Sequence, residues 1–315
     1  MNGSEFRTDL SSFWAGAELW DKPIAFVDLR TTDRPDQLVL PPCPVVGIGV
    51  GTETAADLVD IVVDPASELD GILRQVLAAP HSAAAIVQLL RILPSLSPEA
   101  GLTAESFAYA MLQRSAEHLD WQARNTAEAH SAGAVRVSRE GGVLEIVLDR
   151  PLASNAIDRP MRDELYEAFA LGGIDPTIET VVLRAEGKAF SLGADLSEFG
   201  TSQDPATAHA IRTMTLPART ALRCADKLSV HVQGACVGAG LELAAFAARV
   251  TATSNAWFQL PELAMGILPG AGGCVSLTRR IGRQRAGLMI LSGKRLSARR
   301  AMDWGLVDAI VDDPA

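Results

Sequence analysis

Residues 237–247 read VGAGLELAAFA, and Glu242 is the one charged residue among Gly, Ala, Val, Leu and Phe. A carboxylate in apolar surroundings is costly unless it is paired, hydrogen-bonded or protonated. The small residues Gly238, Ala239 and Gly240 predict a helix start whose N–H groups are free to bind a ligand. The stretch therefore predicts a functional buried acid, the alternative being a carboxylate that the helix dipole favours in the first turn.

A similar glycine-rich turn lies upstream, in GKAFSLGADLSEF, residues 187–199. The pattern predicts a strand that ends at LGAD and a helix that begins at about Asp195. Backbone N–H groups at such a turn lack strand or helix partners. If this turn and the Gly238–Gly240 turn face one carbonyl oxygen, together they form an oxyanion hole.

Another acid, Glu262, lies among apolar neighbours in FQLPELAMGILPGAGG, residues 258–273. It follows Glu242 with a predicted strand between them, a layout that can bring both carboxyl groups to one cavity. Two carboxyl groups in a dry pocket have raised and mutually separated pKa values, which suits general acid and base catalysis.

Composition excludes several classes of function. The 315 residues are 48% hydrophobic and 21% charged, which is typical of one large or two ordinary globular domains. The net charge of −10 argues against nucleic-acid binding. No apolar run reaches the roughly 18 residues of a membrane span, and the N-terminus lacks a secretory pattern, so we expect a cytoplasmic protein without membrane association. The four cysteines and five histidines have no metal-ligand spacing, which predicts no metal.

Residues 279–300 hold eight Lys or Arg and no acid. They form either a solvated helical face or a landing site for a phosphorylated ligand. Residues 125–134, which are small, polar and unpatterned, are interpreted as a linker between two halves.

The first half, residues 1–130, is predicted to begin with short strands and continue as helices. The predicted strands are 23–29, 44–50 and 60–64, and the predicted helices are 67–79, 82–93 and 103–124. Thr103, followed by Glu105 and Ser106, is interpreted as an N-cap region. Gly47, Gly49 and Gly51 only weakly suggest a dinucleotide fold, because the third glycine of the motif is missing.

The second half, residues 134–315, alternates strands and helices. The predicted strands are 143–149, 179–187 and 227–234, and the predicted helices are 161–170 and about 206–224. Such alternation predicts an α/β fold.

From about residue 134 onward the sequence resembles the crotonase superfamily, the enoyl-CoA hydratase/isomerase group. The resemblance rests on LDRPLASNAIDRPMRDEL (148–165), AFSLGADLSEF (189–199), GACVGAGLELAAFA (234–247), LPELAMGILPGAGG (260–273) and RLSARRAMDWGLVDAIV (295–311). It implies a core of repeated ββα units in a right-handed spiral, here preceded by an α/β-to-helical extension. It also implies a coenzyme A thioester as ligand.

The resemblance implies roles for individual residues. The N–H groups of Ala194 and Ala239 would hold the thioester oxygen as it becomes an enolate. Glu242 and Glu262 would deprotonate a water that adds at C3, and Glu262 would protonate C2. The further residues expected to contact substrate are Ala153, Ser154, Gly193, Asp195, Leu196, Gly238, Pro261 and Gly270.

The expected activity is thus that of an enoyl-CoA hydratase, with no cofactor besides the coenzyme A of the substrate. The alternatives are an enoyl-CoA isomerase, which needs mainly Glu262, and a non-catalytic acyl-CoA-binding subunit. The resemblance also implies a homo-oligomer, a trimer or hexamer.

The sequence departs from the family pattern at several places. Leu152 replaces a basic residue that often contacts coenzyme A, and CVSL (274–277) replaces a usual T-Q-R-L. The sequence also stops before the helical module that usually covers the acyl site. One hypothesis is that helices within residues 82–124 fold back over the catalytic half in its place, and the other is an unrelated appended domain.

Overall fold

The computed structural model describes residues 3–14, 17, 19–64 and 68–311. The chain begins with strands β1 (Arg7–Thr8), β2 (Ala25–Asp28), β3 (Val45–Ile48) and β4 (Ile61–Val63). These form a parallel sheet in that order, with Phe26 opposite Val46 and Val46 opposite Ile61. The strands predicted at 23–29, 44–50 and 60–64 are confirmed with slightly shorter bounds.

In the turn after β3, a carboxylate of the turn itself binds the backbone amides. Glu53 accepts hydrogen bonds from Val50 N at 2.9 Å and Gly51 N at 2.8 Å. Amides that would face a dinucleotide phosphate are therefore occupied by a carboxylate, which argues against the dinucleotide interpretation.

Helices follow the sheet. They are α1 (Leu69–Ala78), α2 (Pro80–Ile92), α3 (Pro98–Leu112) and α4 (Ala116–Arg124). The single helix predicted at 103–124 is wrong, because Ser115 accepts a hydrogen bond from His118 N and starts a new helix. The predicted N-cap at Thr103 is also wrong. Ser97 caps α3 by accepting from Ala100 N, which places Glu105 in the middle of the helix and fully buried.

The remaining elements alternate strands and helices. They are β5 (Ala134–Glu140), β6 (Val143–Asp149), α5 (Arg159–Ile174), β7 (Thr180–Ala185), α6 (Pro205–Thr215), α7 (Pro217–Ala221), β8 (Leu228–Val232), β9 (Ala235–Val237), α8 (Ala239–Ala244), β10 (Arg249–Ala252), β11 (Trp257–Gln259), α9 (Gly273–Ile281), α10 (Arg283–Ser292), β12 (Leu296–Ser297), α11 (Ala298–Asp303) and β13 (Ala309–Ile310). The helix predicted at about 206–224 is interrupted, because Pro217 starts α7 after Leu216 leaves the helical conformation.

Two sheets organise this half. The larger has the order β13-β10-β8-β7-β6-β5 and the smaller the order β12-β11-β9. Successive strands pass from the larger sheet to the smaller and are followed by a helix, as in β8-β9-α8 and β10-β11-α9. These are the expected ββα units.

This topology places Glu242 beside Glu262. Strands β9 and β11 run parallel, with Val237 opposite Gln259. Glu242 follows β9 in α8, and Glu262 follows β11 in a 3₁₀ turn, Glu262–Met265. Parallel neighbours end at the same edge of a sheet, so both acids lie at that edge.

The two halves share one hydrophobic core. Ile72 and Val76 of α1 belong to the same buried cluster as Leu277 of α9 and Ile290 of α10. Burial of such side chains contributes about 1.5–3 kcal/mol each. The helices of the first half therefore pack as an integral part of the fold.

The basic segment at 279–300 contributes to this packing. Arg283 donates to Val59 O at 3.0 Å and to Asp57 O at 2.6 Å in the first half. Arg280 donates to Ala247 O at 2.6 Å. Arg280 and Arg283 are thus used in binding backbone carbonyl groups, whereas the cations at 294, 295, 299 and 300 are exposed. The segment is therefore a solvated face in part, and the phosphate site stays a prediction.

Among the described residues, no single helix has the length and apolar composition to cross a bilayer. Helices α1 and α2 with its 3₁₀ extension, Leu69–Ala78 and Pro80–Ser95, satisfy those criteria only as a pair that is bent by 108°.

Candidate active site

The two glycine-rich turns predicted from the sequence lie against each other. Gly193 has φ +92°, and a Cβ there would lie 3.1 Å from Val237 O and 3.4 Å from Ala239 N. Ser191 Oγ fixes the first turn by accepting from Gly193 N at 3.0 Å and donating to Asn155 O at 2.7 Å. Only glycine permits this approach and this backbone conformation.

Two amide N–H groups are left available at this junction. Ile157 N donates to Gly193 O, and Ile157 O accepts from Asp195 N. This pairing passes over Ala194 and leaves its N–H without an acceptor. Ala239 is the first residue of α8, where the helix offers no acceptor for its N–H. Neither amide donates to a protein group within the described ranges. Two free donors on adjacent turns can bind one oxyanion.

Glu242 is buried, with 2% of its surface exposed, and one of its two carboxylate oxygens accepts hydrogen bonds from the backbone. Its Oε2 accepts from Ala271 N at 2.6 Å and Gly273 N at 2.8 Å. Burial raises the pKa of Glu242 to about 7, while these amides and the Arg212 charge limit the shift. No described protein group donates to Oε1, so this oxygen is available to a water or substrate.

Glu262 lies opposite in the same pocket and is also buried. Its Oε2 has no hydrogen-bond partner among the described residues. Burial, followed by the charge of Glu242, raises the pKa of Glu262 well above its ordinary value. The arrangement therefore combines a carboxyl group suited to hold a proton with one suited to accept it.

A cavity of about 210 Å³ joins these groups. Of the residues predicted from the sequence, its lining includes Gly193, Ala194, Leu196, Gly238, Ala239, Glu242, Pro261, Glu262 and Gly270. Leu216, Leu243 and Leu268 add apolar surface. An apolar cleft with a few convergent polar groups is typical of a small-molecule site.

Ala153, Ser154 and Asp195 do not line this cavity within the described structure. Asp195 instead accepts from Arg150 Nη1 at 2.7 Å, and both side chains are buried. Although burial opposes the change, hydrogen bonds from Ser197 and Arg150 lower the pKa of Asp195. Its carboxylate thus anchors the turn that carries Ala194, and direct substrate contact by these three residues stays a prediction.

Helices α3 and α6 bring to the site two residues that were not predicted from the sequence. Tyr109 lines the cavity, and the Arg212 guanidinium lies 4.2 Å from the centre of its ring. Arg212 also donates to Gly270 O. Burial raises the pKa of Tyr109 to about 12. Little in the sequence marks Tyr109 or Arg212, because each lies inside an ordinary helical segment.

The N-terminal helices hold the loop between Glu262 and α9 at two places. Glu105 accepts from Gly272 N at 2.8 Å and Cys274 N at 2.9 Å. His118 Nδ1 lies 2.7 Å from Met265 O, a distance at which the ring N–H donates. Glu105 did carry a signal, since it is a lone acid among the apolar residues of GLTAESFAYAML.

Comparison with known proteins agrees with this geometry. Residues 138–314 match the family described as enoyl-CoA hydratase/isomerase. The chain is 38% identical to 2,3-dehydroadipyl-CoA hydratase of Escherichia coli, over 55% of this chain and 68% of that protein. It is 35% identical to mevalonyl-coenzyme A hydratase of Beauveria bassiana, over 54% of this chain and 64% of that protein. The matched region thus spans about two thirds of these relatives.

Solved structures similar to this chain are also named enoyl-CoA hydratases. An enoyl-CoA hydratase from Thermoplasma volcanium is 38% identical and superimposes with a TM-score of 0.50, over 57% of this chain and 72% of that one. An enoyl-CoA hydratase from Mycobacterium smegmatis is 30% identical with a TM-score of 0.51, over 56% and 69%.

Proposed function

Because the chain belongs to the enoyl-CoA hydratase/isomerase family, we propose that it adds water across the 2,3 double bond of a 2-enoyl-CoA thioester. The expected crotonase-superfamily membership and α/β fold are confirmed. The observation that carries the proposed reaction is the pair of buried glutamates beside the amides of Ala194 and Ala239. Each glutamate has an oxygen, and each amide an N–H group, without a hydrogen-bond partner among the described residues.

The amides of Ala194 and Ala239 bind the thioester oxygen in this proposal. Water addition at C3 moves electrons from the double bond onto that oxygen and produces an enolate. Fixed dipoles aimed at a developing negative charge stabilise the transition state more than the ground state. The apolar lining excludes water, which strengthens these interactions.

Glu242 accepts the proton of the attacking water. Because Ala271 N and Gly273 N bind Oε2, the carboxylate is fixed and Oε1 faces the reaction. The hydroxyl oxygen bonds to C3, and the water proton passes to Glu242.

Glu262 supplies the proton that completes the product. Burial raises its pKa well above the ordinary value and so favours the protonated form, which can donate to C2 as the enolate collapses. One proton has then entered Glu242 and one has left Glu262, and exchange between them through the cavity restores the starting state. No metal or cofactor takes part in these steps, and chelators are therefore expected to leave the rate unchanged.

The decisive experiment follows the enone absorbance of crotonyl-CoA and of a longer or aromatic 2-enoyl-CoA. The wild type should decrease this absorbance. Glu242→Gln and Glu262→Gln should each lower kcat by a factor of about 10²–10⁴. Glu53→Gln is the matched control, because Glu53 also binds two amides but lies in the turn after β3. Acyl-CoA binding without any decrease in absorbance would reject hydration and favour the binding-subunit alternative.

Isomerisation is the second candidate, favoured by Glu262 Oε2, which lacks a hydrogen-bond partner in the part of the chain that the structure describes. A single carboxyl group can move a proton between C2 and C4. If the chain isomerises 3-enoyl-CoA, this activity should survive Glu242→Gln and be lost in Glu262→Gln. A homo-oligomer remains our expectation, which size-exclusion chromatography with light scattering would test.

A further inference from the structure

Glu105 and Glu242 bind alternate amides of one turn. Glu242 accepts from Ala271 N and Gly273 N, and Glu105 accepts from Gly272 N and Cys274 N. Glu105 has none of its surface exposed. It belongs to α3 and precedes the region matched by the family, which begins at residue 138.

The turn 271–274 opens helix α9, so its amides need acceptors from outside the helix. The first N–H groups of a helix have no partner within it, and negative charge near them is favourable. Here one carboxylate approaches from α8 and the other from α3. The space is tight, since a Cβ at Gly273 would lie 2.5 Å from Glu242 Cγ. A shift of the turn therefore moves Glu242.

The groups around Glu105 determine its protonation state. Burial, followed by repulsion from the Glu242 carboxylate, raises the pKa of Glu105 to about 8, while Arg212 of α6 opposes the shift. Tyr109 from its own helix, Glu262 and the Cys274 thiol also face the cluster. The raised pKa favours the protonated form of Glu105 near neutral pH, so Glu105 acts on the turn through its hydrogen bonds.

We propose that Glu105 is a positioning residue for Glu242, supplied by the N-terminal helices, that fixes the 271–274 turn to which the Glu242 carboxylate is bound. The effect on catalysis rests on the proposed hydration, whereas the effect on the turn does not. The N-terminal helices thereby complete the catalytic geometry of the family-matched half.

Hydrogen exchange measured by mass spectrometry tests the turn without any catalysis. Glu105→Gln keeps the shape of the side chain but leaves one acceptor oxygen for two amides. Exchange in peptides covering 271–274 should accelerate about tenfold in the full-length variant. Glu117→Gln is the matched control, because Glu117 likewise binds two backbone amides, His81 N at 2.8 Å and Ser82 N at 2.9 Å, at the start of α2. Unchanged exchange in Glu105→Gln overturns the proposal.

Steady-state kinetics test the positioning role. In Glu105→Gln kcat should fall about tenfold with the KM of the enoyl-CoA nearly unchanged, because the turn that holds Glu242 is less well fixed. Glu105→Asp, whose shorter side chain reaches the turn less well, should lower kcat in the same way. A wild-type kcat in Glu105→Gln overturns the catalytic part of the proposal.

Two further outcomes are separable. If circular dichroism shows Glu105→Gln to be unfolded, Glu105→Asp decides. Its shorter side chain should also accelerate hydrogen exchange at 271–274. Exchange and kcat equal to those of the wild type in Glu105→Asp would overturn the proposal. If the wild type hydrates no enoyl-CoA, the proposed function fails, and the exchange measurement still accepts or rejects Glu105 as the support of this turn.

Discussion

A Cβ atom at Gly238 would lie 2.8 Å from Glu262 Oε1, closer than real Cβ atoms approach an oxygen. Gly238 also has φ +48° and ψ −126°, a conformation reserved for glycine. Gly238→Ala should therefore displace Glu262 or the amide of Ala239. Because an error of about 1 Å in catalytic geometry costs about 10²-fold, we expect kcat/KM for enoyl-CoA hydration to fall by about that factor.

Gly141→Ala is the control for this variant. Gly141 has a similar φ of +56°, but a Cβ there meets nothing within 4 Å. It should cost about 1 kcal/mol of stability and leave kcat/KM unchanged. Equal losses of activity in both variants would show that backbone strain, not contact with Glu262, is responsible.

The rate of hydration should depend on pH through both glutamates. The reaction needs Glu242 ionised, and burial raises the pKa of Glu242 to about 7, so activity should rise through that pH. It also needs Glu262 protonated, and the pKa of Glu262 is raised well above 4.5, so activity should fall again at higher pH. The measurement is kcat/KM from about pH 5 to about pH 10. An acid limb near the ordinary glutamate value would contradict the proposed role of Glu242.

Because of Glu105, the free energy of unfolding should fall as pH rises. Ordinary ion-paired acids, whose pKa values are lowered, have the opposite effect. Burial raises the pKa of Glu105 from 4.5 to about 8, so between these values the folded state binds a proton that the unfolded state has lost. The free energy of unfolding contributed by Glu105 therefore falls as pH rises, by up to about 1.4 kcal/mol per pH unit.

Urea denaturation of wild type and Glu105→Gln over this pH range isolates that contribution. The lost hydrogen bond shifts the whole curve of the variant, whereas the lost proton changes its slope. We expect the stability difference between the two proteins to shrink or reverse toward pH 8. A constant difference would indicate that Glu105 has no raised pKa in the folded protein.

The catalytic pair could be predicted because its signals are local. Glu242 and Glu262 each stand alone in an apolar segment beside glycine, and a parallel strand pair brings them together. Glu105 could not be assigned because its partners lie 167 and 169 residues later in the sequence. A short-range interpretation as part of a helix cap competed and was wrong.

The missed elements of the fold have similar causes. Strand β5, Ala134–Glu140, starts where the predicted linker ends and is mostly exposed, so the alternation of Val135 and Val137 with polar residues is too short to mark a half-buried strand. The break between α3 and α4 depends on one Ser115 side chain in an otherwise helical pattern. The packing of α3 on α6 and α9 depends on the complete core.

The buried pair of Arg150 and Asp195 provides the last prediction. Arg150 Nη1 lies 2.7 Å from Asp195 Oδ2, with 4% and 6% of the side chains exposed, and Arg150 Nη2 lies 3.4 Å from Asp158 Oδ2. Arg150→Met leaves two buried carboxylates without their cation. We expect a loss of about 3–5 kcal/mol in the free energy of unfolding, measured by urea denaturation.

Arg136→Met separates this effect from the loss of any ion pair. Arg136 pairs with Asp149 at 3.0 Å and with Glu186, but 55% of its side chain is exposed. Solvent screens such a pair, and its loss should cost less than about 1 kcal/mol. Because Asp195 follows Ala194 directly, Arg150→Met should also weaken the oxyanion hole under conditions where the variant is still folded, and Arg136→Met should not. Similar stability and activity in the two variants would mean that Arg150 neither supports the buried acids nor holds the Ala194 turn.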